Sequence, residues 1–143
     1  MNNKSILITG GTGSFGKAFI NHAISKYKRI KKLVVFSRDE LKQSELKKLY
    51  PIQKYKNIRF FIGDIRDKSR LSMALRDIDV VIHAAALKQI ETAEYNPIET
   101  IKTNIIGSQN LVEVALESKV KNVIALSTDK AVSPANLYGA TKL

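Results

Sequence analysis

Tyr138 and Lys142 stand four residues apart near the end of this 143-residue sequence, in the stretch Tyr-Gly-Ala-Thr-Lys. On a helix that spacing puts a phenol and an ammonium on one face. A cation beside a phenol stabilises the phenolate and draws its pKa down from about 10. The resulting base can take a hydroxyl proton while hydride leaves the same carbon. Alone, a Y-x-x-x-K pair is a frequent accident, and its weight here comes from the residues that precede it. Just upstream, Ser127-Thr128-Asp129-Lys130 sets an acid beside a base at the end of an apolar run. Oxidising an alcohol needs no such pair. Removing water from a β-hydroxy ketone does: one group takes the proton α to the carbonyl and the other protonates the departing hydroxyl. Thr128 is suited to donate to a substrate oxygen. The plainer accounts are a strand-end hydroxyl bonded to backbone and an exposed ion pair on a loop.

At the other end of the chain, Thr9-Gly10-Gly11-Thr12-Gly13-Ser14-Phe15-Gly16 follows the first apolar run. Gly10, Gly13 and Gly16 form G-x-x-G-x-x-G. Glycine there lets the chain turn sharply and approach a pyrophosphate without a Cβ in the way. The free N–H groups and dipole of the following helix then hold the phosphate charge. An ordinary glycine-rich turn is the alternative, but a first β–α junction is where a dinucleotide fingerprint belongs. An NAD site usually has Asp or Glu about 20 residues further on. Here Ser37-Arg38 occupies that place, with Lys42 one turn along. A guanidinium there can stack on adenine and grip a 2′-phosphate, so NADP is expected over NAD. The plainer account is that Arg38 is a solvated loop residue and Asp39 a helix N-cap. Asp64 could accept from the adenine amino group or serve only as a turn residue.

These groups need a scaffold, and the apolar periodicity supplies one. Ser5–Thr9, Leu33–Phe36, Ile58–Ile62, Val80–His83 and Val123–Leu126 read as short strands, apolar enough to be covered on both faces. Helical patterns run over Phe15–Lys26, Asp39–Tyr50, Lys68–Arg76 and Asn96–Ser118, and one more begins near Asn136 or Tyr138. Asp67 and Asn96-Pro97 look like helix starts. The expected fold is α/β, a Rossmann-type doubly wound parallel sheet truncated after the fifth strand. It forms a single dinucleotide-binding domain over residues 1–143, read as the N-terminal part of a longer protein because the sequence stops inside a helix.

Composition narrows the partners. With 24 Lys+Arg against 13 Asp+Glu the formal charge is +11. The basic residues are scattered, with modest clusters at Lys26–Lys32 and Lys47–Lys56, and no recognition motif accompanies them. No nucleic-acid partner is expected; a positive field also suits phosphate-bearing ligands. There is no run long enough for a membrane span and no signal-peptide pattern. Zero cysteines exclude disulfides and thiolate metal sites. A cytoplasmic, metal-free protein is the default expectation.

The segments TGGTGSFG, FSRDELKQ, FIGDIRD, VIHAAALK, EYNPIETIKTNIIGSQN, ALSTDKA and NLYGATKL together resemble inverting UDP-N-acetylglucosamine 4,6-dehydratases. These are extended short-chain dehydrogenase/reductases that begin bacterial pseudaminic acid synthesis. The resemblance spans essentially the whole chain. Many related polysaccharide-biosynthesis dehydratases share STDK but carry methionine in the place of Tyr138, so the tyrosine points to the pseudaminic branch.

The resemblance implies bound NADP that is recycled, with UDP-N-acetylglucosamine as substrate. It implies that Tyr138 and Lys142 assist oxidation at sugar C4 while also touching the cofactor. Lys130 would be the base at C5 and Asp129 the acid expelling the C6 hydroxyl, roles adjacent enough to be exchanged. Thr12, Ser14 and Phe15 in the glycine turn, and Ile65, Ala84, Ala85, Lys88 and Asn104 beyond it, would line the cofactor. His83 also matches a family position, although a packed strand-end histidine is the commoner reading. The family is considerably longer, and its C-terminal part supplies the sugar-nucleotide pocket. A homo-oligomer is implied for the whole protein, with Asn96–Ser118 the one long helix available to an interface. A UDP-sugar 4-epimerase would share the glycine turn and the Tyr–Lys pair but has no use for Asp129-Lys130. A retaining dehydratase would usually lack Tyr138. A non-catalytic NADP-binding module would be expected to have lost one of the pairs, and both are intact.

Overall fold

The five apolar runs form one parallel sheet in the computed structural model, which describes residues 1–143. The strands are β1 (Ser5–Thr9), β2 (Lys32–Ser37), β3 (Ile58–Ile62), β4 (Val80–His83) and β5 (Asn122–Ala125), in spatial order β3-β2-β1-β4-β5. The crossovers carry α1 (Ser14–Lys26), α2 (Glu40–Leu49) and α3 (Lys68–Ala74). Between β4 and β5 come α4 (Ile90–Tyr95), α5 (Pro97–Ile101), a π-helical segment (Lys102–Ile106) and α6 (Gly107–Glu117). A 3₁₀ turn (Asp129–Ala131) and α7 (Leu137–Ala140) come after β5.

Strand alternation sends β1 side chains to opposite faces, and each face is covered. Ile6 and Ile8 pack with Ile20 and Ala23 of α1 and Leu46 of α2. Leu7 packs on the other side with Leu71 of α3 and Leu111 and Val114 of α6. Full burial of such a side chain is worth about 2 kcal/mol, so this central strand anchors both layers. Thr9 pairs with Phe36 of β2 and His83 of β4, so three strands finish level at their carboxyl ends. The chain winds outward through β2 and β3, then returns to the far side of β1. That reversal opens a crevice at the carboxyl edge, where open α/β sheets bind ligands.

The structure departs from the sequence expectation in identifiable places. Asp39 and Tyr50 are caps of α2 rather than helical residues; the Asp39 carboxylate accepts from the Lys42 amide. The helix expected over Asn96–Ser118 is three pieces. Pro97 lacks an N–H and opens α5, and the π segment then shifts the register of α6. Helix α4 and the 3₁₀ turn were not foreseen. Strand β5 lies one residue earlier than expected, pairs with β4 alone and is exposed along its whole length. No helix is long and apolar enough to cross a membrane.

Candidate functional site

The glycine turn is built by exclusion of Cβ atoms. Gly10 adopts φ +64°, and a Cβ there would stand 2.9 Å from the Ala84 carbonyl carbon. Gly16 lies on the Gly11 backbone with no room for a side chain. These two approaches fold the turn flat against the start of the β4–α4 connection. Gly13 caps α1 without any side-chain hydrogen bond, so no protein side chain claims the first-turn amides. An uncapped helix start, reached through glycines at the close approaches, fits a pyrophosphate.

A cavity of about 680 Å³ extends from this turn along the carboxyl edge of the sheet. From the turn it takes Gly10, Thr12, Gly13, Ser14, Phe15 and Gly16. The end of β2 contributes Ser37 and Arg38, α2 contributes Lys42, and the turn after β3 contributes Asp64 and Ile65. Ala84, Ala85 and Lys88 come after β4, and Tyr138 and Lys142 close the far end. All but one of the expected cofactor residues therefore meet in one cavity. The exception is Asn104, which lies 3% exposed behind the wall. Its side chain accepts from the Leu87 amide at 2.8 Å and donates to the Leu87 carbonyl at 2.9 Å. It also donates to Thr141 Oγ1 at 2.9 Å, so it clamps the wall to the segment that ends α7.

Charges gather at the β2 end. The Arg38 guanidinium lies 3.5 Å from Asp64, which also pairs with Arg66 at 2.8 Å. Burial raises the Asp64 pKa, but hydrogen bonds from Arg66 outweigh it and leave the carboxyl below its ordinary value. Lys42 pairs with Asp39 at 2.9 Å. Lys17, in the first turns of α1, also lines the cavity, and its charge helps hold the Asp39 carboxyl down after the larger effect of Lys42. Eight lining residues lie outside the expected set: Lys17, Phe36, Asp39, Gly63, Ala86, Thr103, Leu126 and Ser127. Lys17 comes one helical turn after Gly13 and was legible in principle. Thr103 was not, since its direction depends on the π segment.

At the other end, Gly139 packs against the Lys130 carbonyl with no space for a Cβ, which brings α7 onto the 3₁₀ turn. The Tyr138 side chain is buried, and Lys142 donates through Nζ to the Leu126 carbonyl at 3.1 Å. Helix α7 is a single turn, and the Lys142 amide bonds the Gly139 carbonyl in a tightened finish. Lys142 therefore reaches the cavity from the turn after the helix rather than from a helical position four on from Tyr138. Burial lowers the Lys142 pKa. Asp129 and Lys130 are paired at 3.6 Å outside the cavity lining, with side chains 88% and 46% exposed. A hydrogen bond from Thr128 Oγ1 to Asp129, then the Lys130 charge, holds the Asp129 carboxyl below its ordinary value. His83 is 4% exposed. Burial first, and the Lys142 charge second, push its pKa down to about 4.

Comparison with known proteins places this geometry. The chain is 57% identical over 142 residues to a UDP-N-acetylglucosamine 4,6-dehydratase (inverting) from Campylobacter jejuni strain 81-176, covering 99% of this chain and 41% of the relative. It is 47% identical to a UDP-glucose 4-epimerase from Rickettsia bellii, covering 97% of this chain and 40% of that one. The chain thus spans about two fifths of the length of the curated relatives it matches. Among solved structures, Pen from Bacillus thuringiensis superposes with a TM-score of 0.93 at 43% identity, covering 99% of this chain and 44% of that one. DesIV, a dTDP-glucose 4,6-dehydratase from Streptomyces venezuelae solved with NAD bound, gives 0.84 at 25% identity, covering 96% and 48%. The family described as polysaccharide biosynthesis protein matches residues 6–143, and the chain belongs to it.

Proposed function

We propose that this chain is the dinucleotide-binding and catalytic part of a UDP-N-acetylglucosamine 4,6-dehydratase that inverts C5. The observation that carries this reading is one cavity running from an uncapped glycine turn to Tyr138 and Lys142, with the Lys130 backbone seated on Gly139, the residue after Tyr138. The 57% identity to the Campylobacter dehydratase supports the same substrate class.

The glycine turn and α1 would hold the pyrophosphate. Arg38 after β2, Lys42 of α2 and Lys17 of α1 bring three cations to the cavity beside Asp39 and Asp64, which favours NADP over NAD, since a 2′-phosphate can take the place of those carboxylates as their partner. When bound, the nicotinamide supplies a hydride acceptor for C4 and later a donor to C6. Tyr138 takes the C4 hydroxyl proton, with the half-buried Lys142 ammonium stabilising the phenolate. With C4 oxidised, Lys130 removes the acidified C5 proton and Asp129 protonates the departing C6 hydroxyl once a proton has passed from ammonium to carboxylate within their ion pair; the opposite division uses the pair as it stands, with Asp129 charged. Reprotonation at C5 from the other face inverts that centre. Thr128 would orient a sugar oxygen. Ile65, Ala84, Ala85 and Lys88 would line the cofactor, and Asn104 would support it from behind the wall.

The pocket for uridine diphosphate and sugar would come from protein outside these 143 residues. The exposed apolar side chains Ile98 of α5 and Val112 and Leu116 of α6 would suit a homo-oligomer of the whole protein, acting in the cytoplasm. The Rickettsia relative's name raises a second reading, a 4-epimerase, which leaves Asp129–Lys130 without a task. Proton NMR of the complete protein with UDP-N-acetylglucosamine in deuterium oxide separates them. A new C6 methyl, a 4-keto or hydrated sugar and inverted C5 establish the dehydratase. A C4 epimer without a methyl overturns it.

A further inference from the structure

The side chain of His83 lies between two elements that both shape the cofactor cavity, and its bonds close without remainder. Ser108 Oγ donates to the Asn104 carbonyl at 2.6 Å. A hydroxyl has one proton, so at its 3.0 Å contact with His83 Nε2 it accepts, and Nε2 carries the hydrogen. In a neutral ring Nδ1 is then the acceptor, and Thr9 Oγ1 donates to it at 2.8 Å. Thr9 Oγ1 has two lone pairs left, and the amides of Ala84 and Ala85 fill both at 3.2 Å. One polarised chain of hydrogen bonds thus runs from the Ala84–Ala85 amides, through the head of the glycine turn and the imidazole, to Ser108 in the first turn of α6. Asn104 at its far end holds Leu87 and Thr141, so the same chain reaches α7.

Each partner sits where another choice of residue would serve packing equally well. Thr9 is fully buried and His83 nearly so, and a valine and a phenylalanine would fill those volumes. Neither replacement would fix the direction of Ala84–Ala85, the stretch against which Gly10 is pressed and which forms the cavity floor. The π segment matters because it puts Ser108 opposite the ring, linking a helix on one face of the sheet to the strand tips.

We propose that His83 is a positioning residue: through Thr9 and Ser108 it holds the Ala84–Ala85 floor of the cofactor cavity in register with the Asn104–Thr141 clamp behind Tyr138 and Lys142. The inference rests on the cavity being a dinucleotide site only for its kinetic consequence; the mechanical link is testable without turnover.

The test is Ser108→Ala, a small change at a half-buried position, in the complete protein that carries this chain. Amide hydrogen exchange is followed at Ala84 and Ala85, on the opposite side of the ring from Ser108. Loss of the Nε2 partner frees the ring, and exchange at both amides accelerates at least tenfold beyond the change at core amides of β2, which reports any fall in global stability; the Kd for NADPH, read from its fluorescence, rises about tenfold as well. Unchanged exchange at both amides overturns the proposal. His83→Phe keeps the volume and removes both bonds, so it repeats the loss. The Ser108→Ala, His83→Phe double variant loses little more than either alone, because the three groups act as one chain. Losses that multiply in the double variant would mean independent packing effects and would also overturn it. A wild-type protein that fails to bind NADPH defeats the dinucleotide reading, and the amide exchange still decides the link.

Discussion

Gly139 rests on the carbonyl of Lys130, closer than any side chain would allow. The contact joins the two residue pairs that carry the proposed chemistry. One end of it is the turn bearing Asp129 and Lys130, and the other is the helix bearing Tyr138. Their separation is therefore set by backbone against backbone, which is stiffer than any side-chain contact.

Replacing Gly139 by alanine forces that contact apart. The obstacle is a main-chain oxygen, so the turn or the helix must move. We expect a loss of stability of about 1–3 kcal/mol, the usual range for overpacking. Dehydration should fall more steeply than oxidation at C4, because the acid/base pair is displaced from the site. Single-turnover measurement of NADPH appearance beside product NMR would check this; equal losses in both steps would contradict it.

Gly10→Ala strikes the other end of the cavity. Alanine meets both the left-handed φ of +64° and the Ala84 backbone at 2.9 Å. The conformational cost alone is about 1–2 kcal/mol, and the clash adds to it. Cofactor affinity should collapse well before the sheet unfolds, since the floor rather than the core is disturbed. Calorimetric titration with NADP⁺, beside a thermal melt, gives both quantities.

Arg38→Ala tests cofactor choice. The variant should bind NADP⁺ about 10- to 100-fold less tightly, the loss of one or two charge-assisted hydrogen bonds. Binding of NAD⁺ should hardly change. Equal weakening for both dinucleotides would make Arg38 an adenine or structural contact instead.

The buried imidazole of His83 makes a pH prediction whose sign is fixed. Its pKa is about 4 in the folded chain against an ordinary 6.5. The unfolded chain therefore takes up a proton that the folded one refuses between those values. Stability is full above about pH 6.5 and declines as pH falls towards 4, by about 1.4 kcal/mol per pH unit and about 3 kcal/mol in all. Urea unfolding from pH 7 to 5 should show this slope, and His83→Gln should flatten it. The nearby cation is Lys142, whose charge acts in the same direction.

Much of this was legible in the residues. Apolar runs separated by capped helices fix a doubly wound sheet, and G-x-x-G-x-x-G, Arg38 and the Tyr–Lys pair carry signatures tied to spacing. The features that escaped were those set by tertiary register. Asn104 looked like a cofactor-lining residue, but the π segment turns it to hold Leu87 and Thr141 behind the wall. The close seat of Gly139 on Lys130 left no sign beyond the glycine itself.

The strand order has a consequence for how the chain is made. β1, β2 and β3 can pair as they leave the ribosome, but the second side of β1 waits for β4, and the Thr9–His83 bond joins residues 74 apart. At about 5–20 residues per second, that wait is about 4–15 s. Throughout it, Ile6, Leu7 and Ile8 form an unpaired apolar edge, the kind of surface that chaperones cover and that misassembles when they do not. The most deeply buried strand of the finished sheet is the one longest at risk during synthesis.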